Sequence, residues 1–266
     1  MDAWRDKDYD NILGINPGGG RKAATAFIEY LGTAQKIPVV YGDSELPIIW
    51  LGFRQYEVDE FVALATFCYG SIEEVEYITI NGQKFLPGEG EYPGDNYNEY
   101  GVSYTISKYG EGVGGETMFD EYRSAFPKNP NLGTDSPTFL RGLAGIFFHF
   151  DISKDFITGI PSVSVKIKGK SHVFDPRIES EPNTASEVYP WAGITPEACT
   201  NPALIYADYL TNTWYGKGLS WDRIDLPQLA AAADVCDTAV LDGDGNTIPL
   251  MAFNGSLDTS EKIDSN

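Results

Sequence analysis

Basic residues are scarce in this chain: 19 lysines and arginines stand against 39 aspartates and glutamates among 266 residues, a formal net charge of −20. The acids are spread along the chain instead of gathered in a tail. Such a surface repels phosphate, which excludes nucleic-acid binding by counterion release. Cysteine is scarcer still. Cys68, Cys199 and Cys236 are odd in number and far apart, so neither a disulfide framework nor a zinc-type spacing is available, as suits folding in a reducing cytoplasm. There are two histidines, and a Ser-His-Asp triad would need one of them. His149 sits in the strand-like "FFHF" and His172 beside an expected hairpin turn, with no G-x-S-x-G elbow near either. No run of about 18 apolar residues occurs, so nothing is expected to span a membrane. The start, "MDAWRDKDYDN", lacks the basic-then-apolar order of a secretory signal. There is no Walker motif, and "GINPGGG" has no strand before it or βαβ unit after it, so no nucleotide cofactor is expected.

What is present is mostly β. The length allows one large domain or two modest ones, each able to bury a core without covalent staples. Residues 1–20 read as a flexible, glycine-rich arm. In "RKAATAFIEYLGTA", Ala24, Phe27, Ile28 and Leu31 recur at helical spacing with Gly32 just beyond, which predicts a short amphipathic helix whose apolar face needs a partner. The runs "KIPVVYG", "LPIIWLGF" and "DEFVALATFCYG" are β-branched and aromatic, bounded by Gly, Pro and Asp, and predict strands. "VEYITINGQKFL" places Asn81-Gly82 between two such runs, the pair that a type I′ hairpin turn prefers.

From Pro87 to Pro137 the composition shifts to Gly, Pro, Tyr and Asn, broken by one strand-like piece, "GVSYTISKYG". Tyr92, Tyr97, Tyr100, Tyr104 and Tyr109 suit a contact surface and equally suit ordinary strand and loop positions. Strands resume in "TFLRGLAGIFFHFDI" and in "GIPSVSVKIKGKSHVF", where Val163, Val165 and Ile167 alternate with polar residues and Gly169-Lys170 is expected to turn the chain back. A polar connection over 175–191 marks a boundary between two structural units. Asn201 then reads as an N-cap with Pro202 at the first helical position. Ala203, Ala207, Leu210 and Trp214 fall on one face of that helix, and Gly216 and Gly218 end it. A second helix follows in "IDLPQLAAAADVCD", with Leu229, Ala232, Ala233 and Cys236 on one side, then a hairpin over 238–259 and a helix start at "SEKIDSN".

Few groups invite chemistry. Glu73, Glu74 and Glu76 could supply one wall of a glycosidase site, although sequence offers no partner carboxylate and a solvated acidic edge explains them. Asp242, Asp244 and Asn246 open like a calcium loop, but the sixth and twelfth positions are Thr247 and Phe253 where glycine and glutamate are needed. A Gly/Asp hairpin tip accounts for the same residues. No catalytic residue, cofactor or metal site is assigned.

Six stretches, in order, carry a resemblance: "IPVVYG" (37–42), "GSIEEVEYITING" (70–82), "GIPSVSVKIKGKSHVFDPR" (159–177), "NPALIYADYLTNTWYGKGL" (201–219), "IDLPQLAAAADVCD" (224–237) and "FNGSLDT" (253–259). Together they resemble the N-terminal part of the central hub, or tip attachment, proteins of lambda-like long-tailed bacteriophages. Trp214 stands where that family usually has a basic residue, and 87–137 matches nothing in it. The resemblance implies an α+β, mainly β fold of antiparallel barrel-like hub domains with short packing helices. One hub domain would cover 21–178 with an insertion at about 87–137, and 179–266, a helix pair plus hairpin, would begin a second that is incomplete by comparison with the family. It implies a homotrimer on the tail axis of the virion, assembled in the host cytoplasm. The implied partners are the distal tail ring protein, the tail tube, the tape-measure protein and fibres or receptor-binding proteins, with DNA passing and not bound. It implies no catalysis. Trp214, Tyr215, Gly216, Asn201, Pro202, Tyr92, Tyr97 and Tyr100 are the candidate structural or interface residues. A glycan- or calcium-binding module of an attachment apparatus, and less so a cell-wall glycosidase, are the alternatives.

Overall fold

The computed structural model of the chain describes residues 37–57, 59–87, 98–107, 143–179, 181–182 and 199–257. The expected arm over 1–20, the helix over 21–34, Tyr92, Tyr97, Tyr109 and the helix start at 260–266 lie outside the described residues.

Strand β4 (Glu60–Tyr69) organises a six-stranded sheet. Its run from Val62 to Cys68 is buried at every position, so the strand reads as a continuous apolar segment instead of an alternating one. Along one edge it pairs antiparallel with β8 (Leu143–Asp151), which pairs in turn with β7 (Val102–Ser107). Along the other it pairs antiparallel with β3 (Ile49–Glu57) and, at Tyr69, parallel with β1 (Val39–Tyr41). Strand β12 (Gly255–Leu257), from the far end of the chain, closes against β1.

The second sheet has four strands in the order β2-β9-β5-β6: β2 (Asp43–Pro47), β9 (Val163–Lys170), β5 (Ile72–Ile80) and β6 (Gln83–Phe85). The chain steps from this sheet to the first at buried Ile48, whose N–H donates to Val163 O at 3.3 Å. The fold is therefore mainly β, as expected. Among the described residues neither sheet closes into a barrel.

The two sheets share one core. From β9 come Val163, Val165 and Ile167, alternating as the sequence predicts, and from β8 Ala144, Ile146, Phe148 and Phe150, with Trp50 tilted onto Phe148 at 5.5 Å between ring centroids. Each such side chain removed from water contributes about 1.5–3 kcal/mol before entropy is charged against it. The β5–β6 turn also forms as predicted, with Asn81 and Gly82 both at positive φ (49° and 84°). Tyr104 and Tyr100 serve this core. Tyr104 is buried, its hydroxyl donating to Leu86 O at 3.0 Å, and half-buried Tyr100 lies against Phe156 and Phe85 at 4.9 and 5.5 Å.

The expected turn at Gly169-Lys170 does not form. Gly169 is inside β9, and residues 171–175 continue as irregular chain that buries Val173 and Phe174. Glycine is needed there for a different reason: β1 crosses so closely that a Cβ at 169 would lie 2.4 Å from Val40 O. At this crossing Val40 points into the shared core, while Val39 and Tyr41 point to a second core under the helices.

Gly169→Ala should therefore destabilise the fold by about 1–3 kcal/mol or more, the usual cost of overpacking. Urea denaturation should show a lower midpoint with an unchanged slope; an unmoved midpoint would mean that the crossing is looser than described.

Candidate functional site

The second core lies between β1 and two helices, α1 (Pro202–Thr211) and α2 (Leu226–Cys236), with Leu204, Ile205, Ala207, Leu229 and Ala233 facing inward. Asn201 and Pro202 take the predicted places. The Asn201 side-chain oxygen accepts from the N–H groups of Ala203 and Leu204 at 3.0 and 3.4 Å, and Pro202 follows at the helix start. Asn201 does more than cap α1: its amide nitrogen donates to Ala233 O at 3.0 Å, joining the start of one helix to the end of the other.

Helix α1 ends earlier than its apolar spacing suggests. Asn212 is extended (φ −64°, ψ 129°), and its buried side-chain oxygen accepts from Trp214 N–H at 2.8 Å and Tyr215 N–H at 3.2 Å. This local competition for backbone donors breaks the helical phase. The following residues fold back to satisfy the helix's last carbonyls, Lys217 N–H on Tyr209 O and Leu219 N–H on Leu210 O. Gly216 fits because a Cβ there would sit 1.9 Å from Tyr209 O. Trp214, expected on the buried helix face, is consequently 77% exposed, and Tyr215 takes the inward place. Ala232, also expected inward, is exposed on α2.

Tyr215 belongs to a buried polar cluster that sequence reasoning missed. Lys170 Nζ, at the end of β9, donates to both oxygens of Asp208 on α1, at 2.8 and 3.0 Å, and to Tyr215 Oη. Tyr215 Oη donates to Asp208 Oδ2 at 2.7 Å, and Tyr41 Oη from β1 donates to the same oxygen. The three donors of Lys170 are thus engaged, and its ammonium also lies 5.1 Å from the Tyr215 ring centroid. Burial, reinforced by the Asp208 charge, pushes both phenols well above their ordinary range, so they remain protonated donors. Nearby, burial pushes the Cys199 thiol up to about 12, which makes it a poor nucleophile. Only half of the cluster was hinted at by residue type: "YADYL" puts an aspartate among apolar helix positions, whereas Lys170 shares the outward parity of Lys166 and Lys168 and is buried only because the helices cover the end of β9.

A second ionic tie holds α2. Although its partial burial opposes this, Asp175 is kept below the ordinary carboxylate range by hydrogen bonds from Arg177. The Arg177 guanidinium spans from Asp175 (2.7 Å) to Asp234 (3.1 Å) and Asp237 (2.8 Å) near the end of α2.

The other candidates are ordinary surface. Glu74 pairs with Lys168 across the outer face of the four-stranded sheet at 2.8 Å, and Glu73 lies 3.9 Å from the same ammonium. Asp242 Oδ1 accepts from the N–H groups of Asp244 and Asn246, at 2.9 and 2.8 Å, at the tip of the hairpin formed by β10 (Ala239–Leu241) and β11 (Thr247–Pro249), a turn cap that explains the Asp/Asn pattern. His149 contacts the Phe147 ring edge-on, and His172 Nε2 lies 3.1 Å from Glu179 Oε1. Among the described residues no group of three or more His, Cys, Asp or Glu is placed to hold a metal ion, and no helix is long and apolar enough to cross a membrane.

No family model and no curated protein matches the chain. Among solved structures it is similar to a chain from the "Virion of native gene transfer agent (GTA) particle", with a TM-score of 0.39 and 11% identity. The match covers 73% of this chain and 36% of that one, so this chain spans little more than a third of its length. A likeness this weak decides neither fold nor function.

Lys170→Met should cost about 3–5 kcal/mol, because it leaves the largely buried Asp208 carboxylate with phenol donors but no counter-charge, whereas Lys170→Met with Asp208→Leu should recover most of that loss. Equilibrium denaturation of the parent, the Lys170→Met and Asp208→Leu single variants and the double variant checks this; additive losses would show that the two residues do not couple. The tyrosines make a separate prediction. Above the ordinary tyrosine value of about 10 the unfolded chain sheds protons that the folded protein retains, so their contribution, complete below that pH, is lost as pH rises. Denaturation midpoints across the alkaline range should fall, and Tyr41→Phe should flatten the fall.

Proposed function

We propose that this chain is a structural component of a bacteriophage tail tip, a ring-forming hub at the distal end of the tail tube. One observation carries the reading. The stretches behind the tail-hub resemblance are far apart in sequence, yet they supply one another's partners. Tyr41 comes from "IPVVYG", Lys170 from "GIPSVSVKIKGKSHVFDPR", and Asp208 and Tyr215 from "NPALIYADYLTNTWYGKGL", all in one cluster. Ala233 of "AAAADVCD" receives the Asn201 bond, and Phe253 of "FNGSLDT" lies edge-on to Tyr41 at 6.5 Å. Five of the six stretches thus meet at one three-dimensional joint, and this supports the reading.

In this role the value of the molecule lies in its surfaces. The β10–β11 hairpin leaves Leu241, Ile248, Leu250 and Met251 exposed, and a two-stranded ribbon is marginal by itself in water. It is tied to the body by Leu250 N–H on Thr238 O and Met251 N–H on Cys236 O, and it offers apolar area to a neighbouring subunit. A homotrimer around the tail axis would join tube to fibres or receptor-binding parts, contacting the distal ring and tape-measure proteins. The net charge of −20 suits a wall past which DNA must slide without sticking. The Lys170–Asp208 cluster acts as a brace and performs no catalysis.

Antibody labelling of intact phage particles tests the proposal. Label at the distal tail end, with three copies per particle by quantitative mass spectrometry, is the expected result. Label on the capsid, or absence of the chain from purified particles, would overturn it.

A further inference from the structure

An asparagine followed by glycine carries its own chemistry, because the glycine backbone nitrogen, unhindered by a neighbouring Cβ, can attack the asparagine side-chain amide. Asn81-Gly82, the exposed turn between β5 and β6, is such a pair. In this fold Asn81 also reaches beyond its turn. Its backbone N–H donates to Ser162 O at 2.8 Å, its side-chain oxygen accepts from Ser162 N–H at 3.0 Å, and its side-chain nitrogen donates to Phe156 O at 3.0 Å. One side-chain partner is a backbone donor and the other a backbone acceptor, so the amide can face only one way.

The segment gripped in this manner closes one end of the shared core. Ile157 is buried, Ile152, Phe156 and Ile160 pack against the core, and the Phe156 ring lies 4.9 Å from that of Tyr100 and 6.3 Å from that of Phe85. Residues 152–162 contain turns and bends but no strand or helix, so the segment depends on these contacts and on the Asn81 bracket for its place.

We propose that Asn81 is a self-modification site gated by residues 152–162. While the segment is closed, both ends of the Asn81 amide are engaged and its carbon is held away from Gly82 N. Once the segment lifts, Gly82 N bonds to Asn81 Cγ, the Cγ–Nδ2 bond breaks, and ammonia leaves with the proton of the Gly82 N–H, which yields a cyclic imide. Water then opens the ring to aspartate or isoaspartate. The aspartate product keeps an acceptor for Ser162 N–H but turns a carboxylate oxygen on Phe156 O where a donor stood, so the segment no longer closes as before. The change runs one way and marks molecules whose core end has opened. This inference is independent of the tail-tip reading.

Peptide mapping and hydrogen–deuterium exchange on the full chain test it. At mildly alkaline pH, Asn81 in the folded protein should convert about ten-fold or more slowly than in an unstructured peptide of residues 76–86, and unfolding in urea should restore the peptide's rate. Asn81→Asp, which copies the product, should speed amide exchange in 152–160 about ten-fold or more, with β4 and β8 still protected because they lie away from the turn. Peptide-like conversion in the folded parent, a measurement that needs no variant, would overturn the gate. Unchanged exchange in 152–160 of the Asn81→Asp protein would overturn the link between the modification and the core end.

Discussion

The ion pair between Lys170 and Asp208 constrains the whole molecule. Neither charge can leave water cheaply, and their attraction offsets that cost only where the remaining donors and acceptors are also filled. Here the filling groups come from elsewhere in the chain: Tyr41 from the crossing strand β1 and Tyr215 from the turn that ends α1. The pair is therefore tolerable only when β9, β1, α1 and that turn are all in place. Apolar burial is non-directional and would let the helical layer slide over the sheet. The polar cluster has discrete partners, and so it fixes where the helices sit.

Much of the architecture could be read in advance, and the reason differs from element to element. The β5–β6 hairpin was legible because Asn81-Gly82 satisfies a purely local requirement for positive φ. The inward face of β9 was legible because alternation has a period of two whatever the partner. Asn201 and Pro202 were legible because a helix start depends on the few residues around it. Each of these signals is complete within a short window.

The misreadings share the opposite property. Gly169 resembled a turn residue, but what demands glycine is the Val40 carbonyl of a strand about 130 positions away in sequence. Trp214 fell in phase with the helix, and only the Asn212 side chain, by taking two backbone donors, ends that phase early enough to expose it. The buried cluster was not legible because its four members are brought together only by the packing of β9, β1, α1 and the turn after it. Lys170 ends an alternating strand and Asp208 lies on a helix face, and neither position reveals that the two meet.

This distinction bears on what a resemblance made of short, separated pieces can mean. Many residues in those pieces are ones whose replacement geometry forbids, as at Gly169 and Gly216, or whose two ends are both used, as in Asn201. Asn254 belongs with them, its side-chain oxygen accepting from Asp43 N–H at 2.9 Å where β12 closes on β1. Such residues specify how strands and helices are joined and say nothing of a substrate. A likeness concentrated on them is a likeness of joints. The exposed faces, where partners would be chosen, are under no such constraint. Loop composition, the apolar hairpin and Trp214 can all differ there while the joint stays the same.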